Sequence, residues 1–232
     1  KEICQFPEKN TWEIKKIEIY SEKLKNDKIL NFDNKDGLFY MVKNDLLYKK
    51  LNEELSKSKF FKKLKIKKNN FYKKLPDKIN YELIINCDSN NPISRKFFSK
   101  RIVKDYHNMA YTAILKHEKL ENKTATQIFT KFGPIAFLPI SNTETSVVFS
   151  MEQKKKTYNE KDVLELIGKN NPKYKIKKIS YLNNFKLSSS SLRNYYNNNI
   201  LAFGDLLHKI HPLAGQGFNM TIRDIKILSG II

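Results

Sequence analysis

Between Ile200 and Asp224 the chain places a carboxylate, three glycines and a helix start close enough together to hold one ligand. The apolar run Ile200–Phe203 reads as a strand and ends at the pair Gly204-Asp205. A short connector leads to Pro212, a turn at Gly215-Gln216-Gly217, and Phe218-Asn219 opening a helix. A carboxylate at the end of a strand can accept hydrogen bonds from sugar hydroxyls. Glycine lets backbone approach a flat or anionic group with no Cβ in the way. A helix start directly after it adds unpaired N–H donors and partial positive charge. The three devices together suit a large cofactor with a polyol arm and an electron-poor ring, which describes a flavin.

The wording of this stretch is specific. Gly-Asp-x-x-His-x-x-His-Pro-x-Ala-Gly-Gln-Gly-Phe-Asn, closed by Arg223-Asp224, resembles the second FAD-binding motif of flavin-dependent aromatic hydroxylases. It is most similar to the ubiquinone-biosynthesis hydroxylases, which share the para-hydroxybenzoate hydroxylase fold. An earlier stretch resembles the family's middle motif, Asp-Gly-x-Asn-Ser-x-x-Arg. Here it reads Asp88-Ser-Asn-Asn91-Pro92-Ile-Ser-Arg95, so Asp88, Asn91 and Arg95 match while Ser89 and Pro92 depart. Serine takes positive φ less readily than glycine, which puts the turn at Ser89 in question. Leu206 and Leu207 stand where the family prefers two alanines.

The resemblance implies an α/β (α+β) fold, an interrupted FAD-binding domain with an inserted antiparallel substrate-binding sheet. Its expected segments are a partial FAD-binding part at 1–100, a substrate sheet at 101–190, and a returning FAD-binding segment at 191–232. The family opens with a strand, a GxGxxG turn and a helix that hold the FAD pyrophosphate. No such element is present among these 232 residues, which begin at Lys1. The expectation is a piece cut at both ends, inactive by itself.

The resemblance further implies an FAD-dependent monooxygenase. NAD(P)H would reduce the flavin, and O₂ would supply the oxygen for the ring of a polyprenyl phenol. Asp205 would bind the ribityl chain. Gly204, Pro212, Gly215, Gln216, Gly217, Phe218 and Asn219 would surround the flavin, with Asp88 and Arg95 on the flavin and donor side. Phe137 and Pro139 are the expected ring-facing substrate wall. The residues name no acid or base. Another flavin monooxygenase or a flavin-linked reductase of the same fold is the alternative reading.

Composition bounds these readings. The formal charge is +20, yet only four of the 44 basic residues are arginine, while asparagine occurs 25 times. Dedicated phosphate readers exploit the bidentate arginine fork, so the lysine excess reads as compositional drift rather than specific nucleic-acid binding. A lysine-rich nucleic-acid- or membrane-binding protein is the rival from another class. Expected partners are the phenol substrate, O₂, and a peripheral contact with the inner membrane surface or a ubiquinone-biosynthesis complex; the expected location is cytoplasmic. No apolar run reaches the roughly 18 residues of a spanning helix. Two cysteines, Cys4 and Cys87, make no disulfide framework, and Cys87 reads as buried. His208 and His211 form an HxxH with no third ligand nearby, a poor zinc site, so no metal is expected.

The elements that must position these residues follow from pattern. Residues 12–20 mix apolar and charged positions like a half-buried strand. Asn44 or Asp45 can cap a helix carrying Leu47, Leu51 and Leu55. Phe60–Lys68 alternates partly like a basic strand, and Tyr81–Ile85 reads as a short strand. Met109–Leu115 is an apolar run, followed by strands at Thr124–Lys131, Ile135–Ile140 and Thr145–Met151. Turns are expected at Gly133-Pro134 and at 141–143. Asn159 can cap a helix ending near Gly168, Tyr174–Leu187 reads as extended, and Ser188–Ser191 as a polar loop.

Overall fold

The computed structural model describes residues 10–22, 27–64, 81–153, 158–210 and 216–232. In chain order the elements are β1 (Thr11–Ile14), β2 (Lys16–Ser21), β3 (Asp27–Asp33), β4 (Phe39–Val42) and α1 (Asn44–Ser56). Then come β5 (Ile84–Asn86), α2 (Pro92–Phe97), β6 (Arg101–His117), β7 (Thr124–Thr130), β8 (Gly133–Pro139) and β9 (Glu144–Glu152). The remainder is α3 (Glu160–Lys169), β10 (Ile176–Leu192), β11 (Tyr196–Asn197), β12 (Ile200–Ala202), β13 (His208–Lys209) and α4 (Gln216–Leu228). The fold is mixed α/β, as expected.

Two compact units divide the chain, 1–62 with 108–186, and 63–107 with 187–232. Residues 1–62 therefore group with the antiparallel strands, where the sequence boundaries had joined them to 63–100. The cause is strand pairing: β2 lies parallel to β7 along six residues, from Lys16↔Thr124 to Ser21↔Phe129. The sheet of the first unit runs β10-β6-β9-β8-β7-β2-β3 and is mixed rather than purely antiparallel. Its long strands β6 and β10 continue into the second unit as residues 101–107 and 187–192.

Alternation along β8 and β9 puts Ile135, Phe137, Val147, Phe149 and Met151 on one face, all fully buried. Helix α3 covers that face with Val163 and Ile167, four residues apart and also sealed from water. Its start is fixed by a capping box. Asn159 Oδ1 accepts from the Asp162 N–H at 2.9 Å, and Asp162 Oδ2 accepts from the Asn159 N–H at 3.3 Å. Each large side chain buried this way contributes about 1.5–3 kcal/mol.

Where pattern and structure part, the reasons are local. The stretch 12–20 breaks at Lys15 into β1 and β2, which pair with different partners, β4 and β7. Neither Asn44 nor Asp45 caps α1; Lys43 is the N-cap, with no side-chain cap bond, and no residue of the helix is buried. Residues 61–64 form no strand, and 65–68 lie outside the described residues. Gly133 and Pro134 open β8 instead of making the turn, which falls on Lys131 and Phe132. Ser188–Ser191 are strand rather than loop, because Ser190 and Ser191 pair with Lys209 and His208 in β13.

Gly133 sits at φ +132°, and a Cβ there would collide with the Ser150 carbonyl oxygen. Gly133→Ala should cost at least about 2 kcal/mol, lowering the thermal midpoint by roughly 4–8 °C; an unchanged midpoint would contradict this register. On β2, burial raises the Glu18 carboxyl, but hydrogen bonds from Lys16, Lys28 and Tyr20 outweigh it and bring it down from 4.5 to about 2. A depressed carboxylate contributes stability that is complete above 4.5 and is lost as pH falls through about 2. Acid titrations of Glu18→Gln should therefore show a shallower loss of stability over that window than the parent protein.

Candidate cofactor site

In the second unit β12 pairs with β5 in parallel, with Ile200↔Ile84, Leu201↔Ile85 and Ala202↔Asn86 in register. One further bond, from the Phe203 N–H to the Asn86 carbonyl at 2.9 Å, closes the pair. Both strands end on the same side, so the Asp88 turn and Gly204-Asp205 emerge next to each other. The carboxyl ends of parallel strands are where open α/β sheets bind ligands. Two apolar anchors, Ile200 and Ala202, hold the pair on a core formed with Ile93, Phe98, Leu192 and Leu206. Leu206 is thus a core residue, which gives its bulk a use where the family carries alanine.

The turn after β5 is built from its own side chains. Asn91 Oδ1 accepts from the Ser94 N–H at 2.8 Å and so caps α2, with Pro92 in the first turn. Asn91 Nδ2 donates to Asn86 Oδ1 at 2.6 Å, Asn86 Nδ2 donates to Ser94 Oγ at 2.8 Å, and Ser94 Oγ donates to the Asp88 carbonyl. Asp88 Oδ1 accepts from the Asn90 N–H at 2.8 Å, forming an Asx turn that needs no glycine at position 89. Asn91, matched to the motif by position, is buried and structural; Asp88 and Arg95 are exposed.

Gly204 occupies the left-handed region at φ +57°, and the nearest atom to a Cβ there would be Thr221 Cγ2 of α4, at 3.9 Å. Asp205 is exposed between buried Gly204 and Leu206, and no hydrogen bond or ion pair within the described residues engages its carboxylate. A free acceptor at this strand end fits the hydroxyl donors of a ribityl chain. Cys87 lies within reach of that charge. It is exposed, correcting the expectation of a buried thiol, because the chain leaves β5 one residue earlier. Partial burial and the Asp205 carboxylate both push its thiol up.

Helix α4 begins at Gln216, so Gly217, Phe218 and Asn219 lie in its first turn. Gln216, Phe218 and Asn219 are exposed, and Gly217 packs near Ile210. Pro212, Gly215 and His211 lie outside the described residues. A contact that pattern did not foresee ties α4 to the motif strand. His208 Nε2 lies 3.3 Å from Asp224 Oδ2, both atoms sealed from water. The HxxH spacing drew attention to His208, but only the tertiary structure supplies Asp224 as its partner.

Phe137 and Pro139 are buried on the core side of β8, Phe137 with its ring centroid 6.1 Å from that of Tyr174. The other side of the same strands carries Ala136, Leu138 and Val148, each half-buried. Those three positions were missed: the strict alternation of β8 and β9 separates them from the buried face, but which face meets the core is set by the tertiary packing.

The sequence matches the FAD binding domain family over residues 82–231, and the chain belongs to that family. It is 25% identical over 199 residues to the mitochondrial ubiquinone biosynthesis monooxygenase of Danio rerio, covering 65% of this chain and 40% of that protein. It is 30% identical over 115 residues to the 3-demethoxyubiquinol 3-hydroxylase of Escherichia coli K12, covering 46% and 28%. The chain thus spans about 40% of the length of the first of these relatives. In fold it is similar to a flavin-dependent brominase, with a TM-score of 0.66 at 10% identity, covering 93% of this chain and 61% of that one. A flavin-dependent halogenase follows, with a TM-score of 0.65 at 16% identity, covering 92% and 44%.

The juxtaposition of Cys87 and Asp205 can be read without any ligand. Asp205→Asn removes the negative charge and should lower the thiol's pKa. Alkylation of Cys87 at fixed pH near 8 should then run faster than in the parent. Equal or slower labelling would mean that Asp205 does not face this strand end.

Proposed function

We propose that the complete gene product is an FAD-dependent monooxygenase that hydroxylates the ring of a polyprenyl phenol in ubiquinone biosynthesis. One observation carries the reading: the parallel β5–β12 pair, which delivers the unengaged Asp205 carboxylate and the capped Asp88 turn to the same strand ends. Membership of the FAD binding domain family and the names of the relatives support the cofactor and the substrate class.

When bound, FAD supplies the redox and oxygen-transfer chemistry, drawing on NAD(P)H and O₂. The chain's own residues bind and orient it. Asp205 accepts hydrogen bonds from the ribityl hydroxyls, each charge-assisted bond being worth about 1.5–3 kcal/mol. Gly204 keeps the backbone beside it free of a Cβ. Gln216, Gly217, Phe218 and Asn219, in the first turn of α4, would hold the ring edge, where the helix start favours negative charge. Asp88 and Arg95 serve the flavin and donor side. His208 and Asp224 hold α4 against the motif strand. Ala136, Leu138 and Val148 offer the apolar wall for the phenol, with Phe137 and Pro139 backing it.

Among the described residues no helix is long and apolar enough to cross a membrane. A lipid-soluble substrate would be met at a membrane surface, where dispersed lysines favour anionic headgroups.

The test is the complete gene product with Asp205→Ala. Flavin fluorescence titration should show FAD affinity falling about tenfold or more, from the loss of at least one charge-assisted bond. Parent protein should convert a short-chain polyprenyl phenol to its hydroxylated product only with NAD(P)H and O₂. A product that carries no flavin, or unchanged FAD affinity in the variant, would overturn the reading.

A further inference from the structure

Helix α1 buries none of its residues, and every residue from Leu55 to Lys62 is exposed. Two adjacent aromatic side chains stand in that stretch, Phe60 at 87% exposure and Phe61 at 39%, after Leu55 at 45% in the last turn of the helix. A single exposed apolar residue is ordinary. Apolar side chains grouped on the surface mark a place where something else docks.

The exposure is held by the backbone. The Lys57 and Ser58 N–H groups donate to the Glu54 and Leu55 carbonyls at 3.2 and 3.1 Å and close the helix. The Phe61 N–H then donates to the Ser58 carbonyl at 3.2 Å, and the Phe60 N–H to Ser58 Oγ at 3.3 Å. These bonds make a tight turn of residues 58–61. Phe60 is carried on its bend, pointed to no core.

Lysines frame the aromatic pair. Lys57 is engaged by Glu54 at 2.9 Å, whereas among the described residues no salt bridge reaches Lys59 or Lys62. Lys59 Nζ stands 5.1 Å from the centroid of the Phe60 ring. Between Glu54 and Asp77 the sequence carries nine lysines and no acidic residue, so no carboxylate along the chain offsets this charge. The occupant must therefore be negative and must also take aromatic rings into an apolar layer. An anionic lipid surface does both, because phosphate headgroups attract ammonium groups while rings enter the acyl boundary. Lysine stems can follow the rings inward and keep their charge among the headgroups. Nucleic acid fits less well, since the stretch has no arginine to read phosphate with a bidentate fork.

We infer that Phe60 and Phe61, flanked by Lys59 and Lys62, form a docking point for an anionic phospholipid surface. The inference does not depend on the flavin site. It places membrane contact at one segment of the first unit instead of in lysines spread over the whole surface.

The experiment sediments the complete gene product with vesicles of equal parts phosphatidylcholine and phosphatidylglycerol at about 150 mM salt, near physiological ionic strength. The double variant Phe60→Ala with Phe61→Ala should partition about tenfold or more weakly, through lost apolar insertion. Lys59→Gln with Lys62→Gln should also lose about tenfold or more, each lysine near the surface adding its own attraction. Lys177→Gln with Lys178→Gln removes the same charge from exposed positions of β10 and should stay within about twofold of the parent. In Phe60→Trp, bromine placed in the lipid acyl chains should quench the added indole beyond any quenching of Trp12 in the parent. Thermal midpoints and flavin content should match the parent in every variant, because the altered side chains are exposed. Equal loss in the Lys177 and Lys178 control would overturn the inference in favour of diffuse charge. An unquenched indole, or phenylalanine variants that bind vesicles like the parent, would overturn it too. Loss of single-stranded RNA binding with vesicle binding intact would assign the patch to nucleic acid instead. A colourless parent that docks normally sinks the flavoprotein reading and leaves the docking point standing.

Discussion

Parallel pairing between β5 and β12 joins segments more than a hundred residues apart, and every proposed contact with a cofactor in the second unit depends on it. Parallel strands cannot be joined by a tight turn, so the chain must leave and return between them. Here it leaves through β6 and comes back through β10. The pairing is kept by very little, three residues on each strand, and so it relies on Ile200 and Ala202 being buried over Ile93 and Phe98. A slip of one residue would turn those side chains outward and move Asp205 away from the Asp88 turn. Packing and site geometry are thus one constraint.

The first unit is stabilised differently. Its large apolar face is supplemented by a buried polar group at one end. Asn122 Nδ2 donates to the Ser141 carbonyl at 2.8 Å and to Thr145 Oγ1 at 3.0 Å, while Tyr174 Oη donates to Asn122 Oδ1 at 3.0 Å. His117 completes it, with Nε2 3.0 Å from Thr145 Oγ1 and its ring tilted at 36° to that of Tyr174, centroids 4.6 Å apart. Buried polar groups are tolerable when each is bonded. These bonds fasten the β6–β7 and β8–β9 connections to the start of β10. His117 therefore has a structural use that accounts for its burial.

Charge tells the units apart. In the first, lysines find carboxylates, as Lys16 and Lys28 do at Glu18, at 2.8 and 2.7 Å. In the second, the cations around α2 and the start of β6 have no such partners among the described residues. All four arginines lie in the second unit, the one that carries Asp88 and the Gly204-Asp205 pair.

Local signals were legible in the sequence wherever one residue's own chemistry sufficed. Asn159 capped the helix it was expected to cap, the strands β7 to β9 fell within a residue or two of their alternating runs, and the Gly204-Asp205 pair marked a strand end. The motif wording was enough to identify the family. What required the folded chain was everything that depends on a partner far along it. Lys15 breaks a strand because β1 and β2 pair with different neighbours, and Ser188–Ser191 extend because β13 lies beside them. Cys87 is exposed because the chain turns after Asn86, and Phe137 faces the core because of the phase of β8, which residue type does not specify. Propensity acts over a few residues, whereas burial and pairing are decided between segments, and only the tertiary structure brings those segments together.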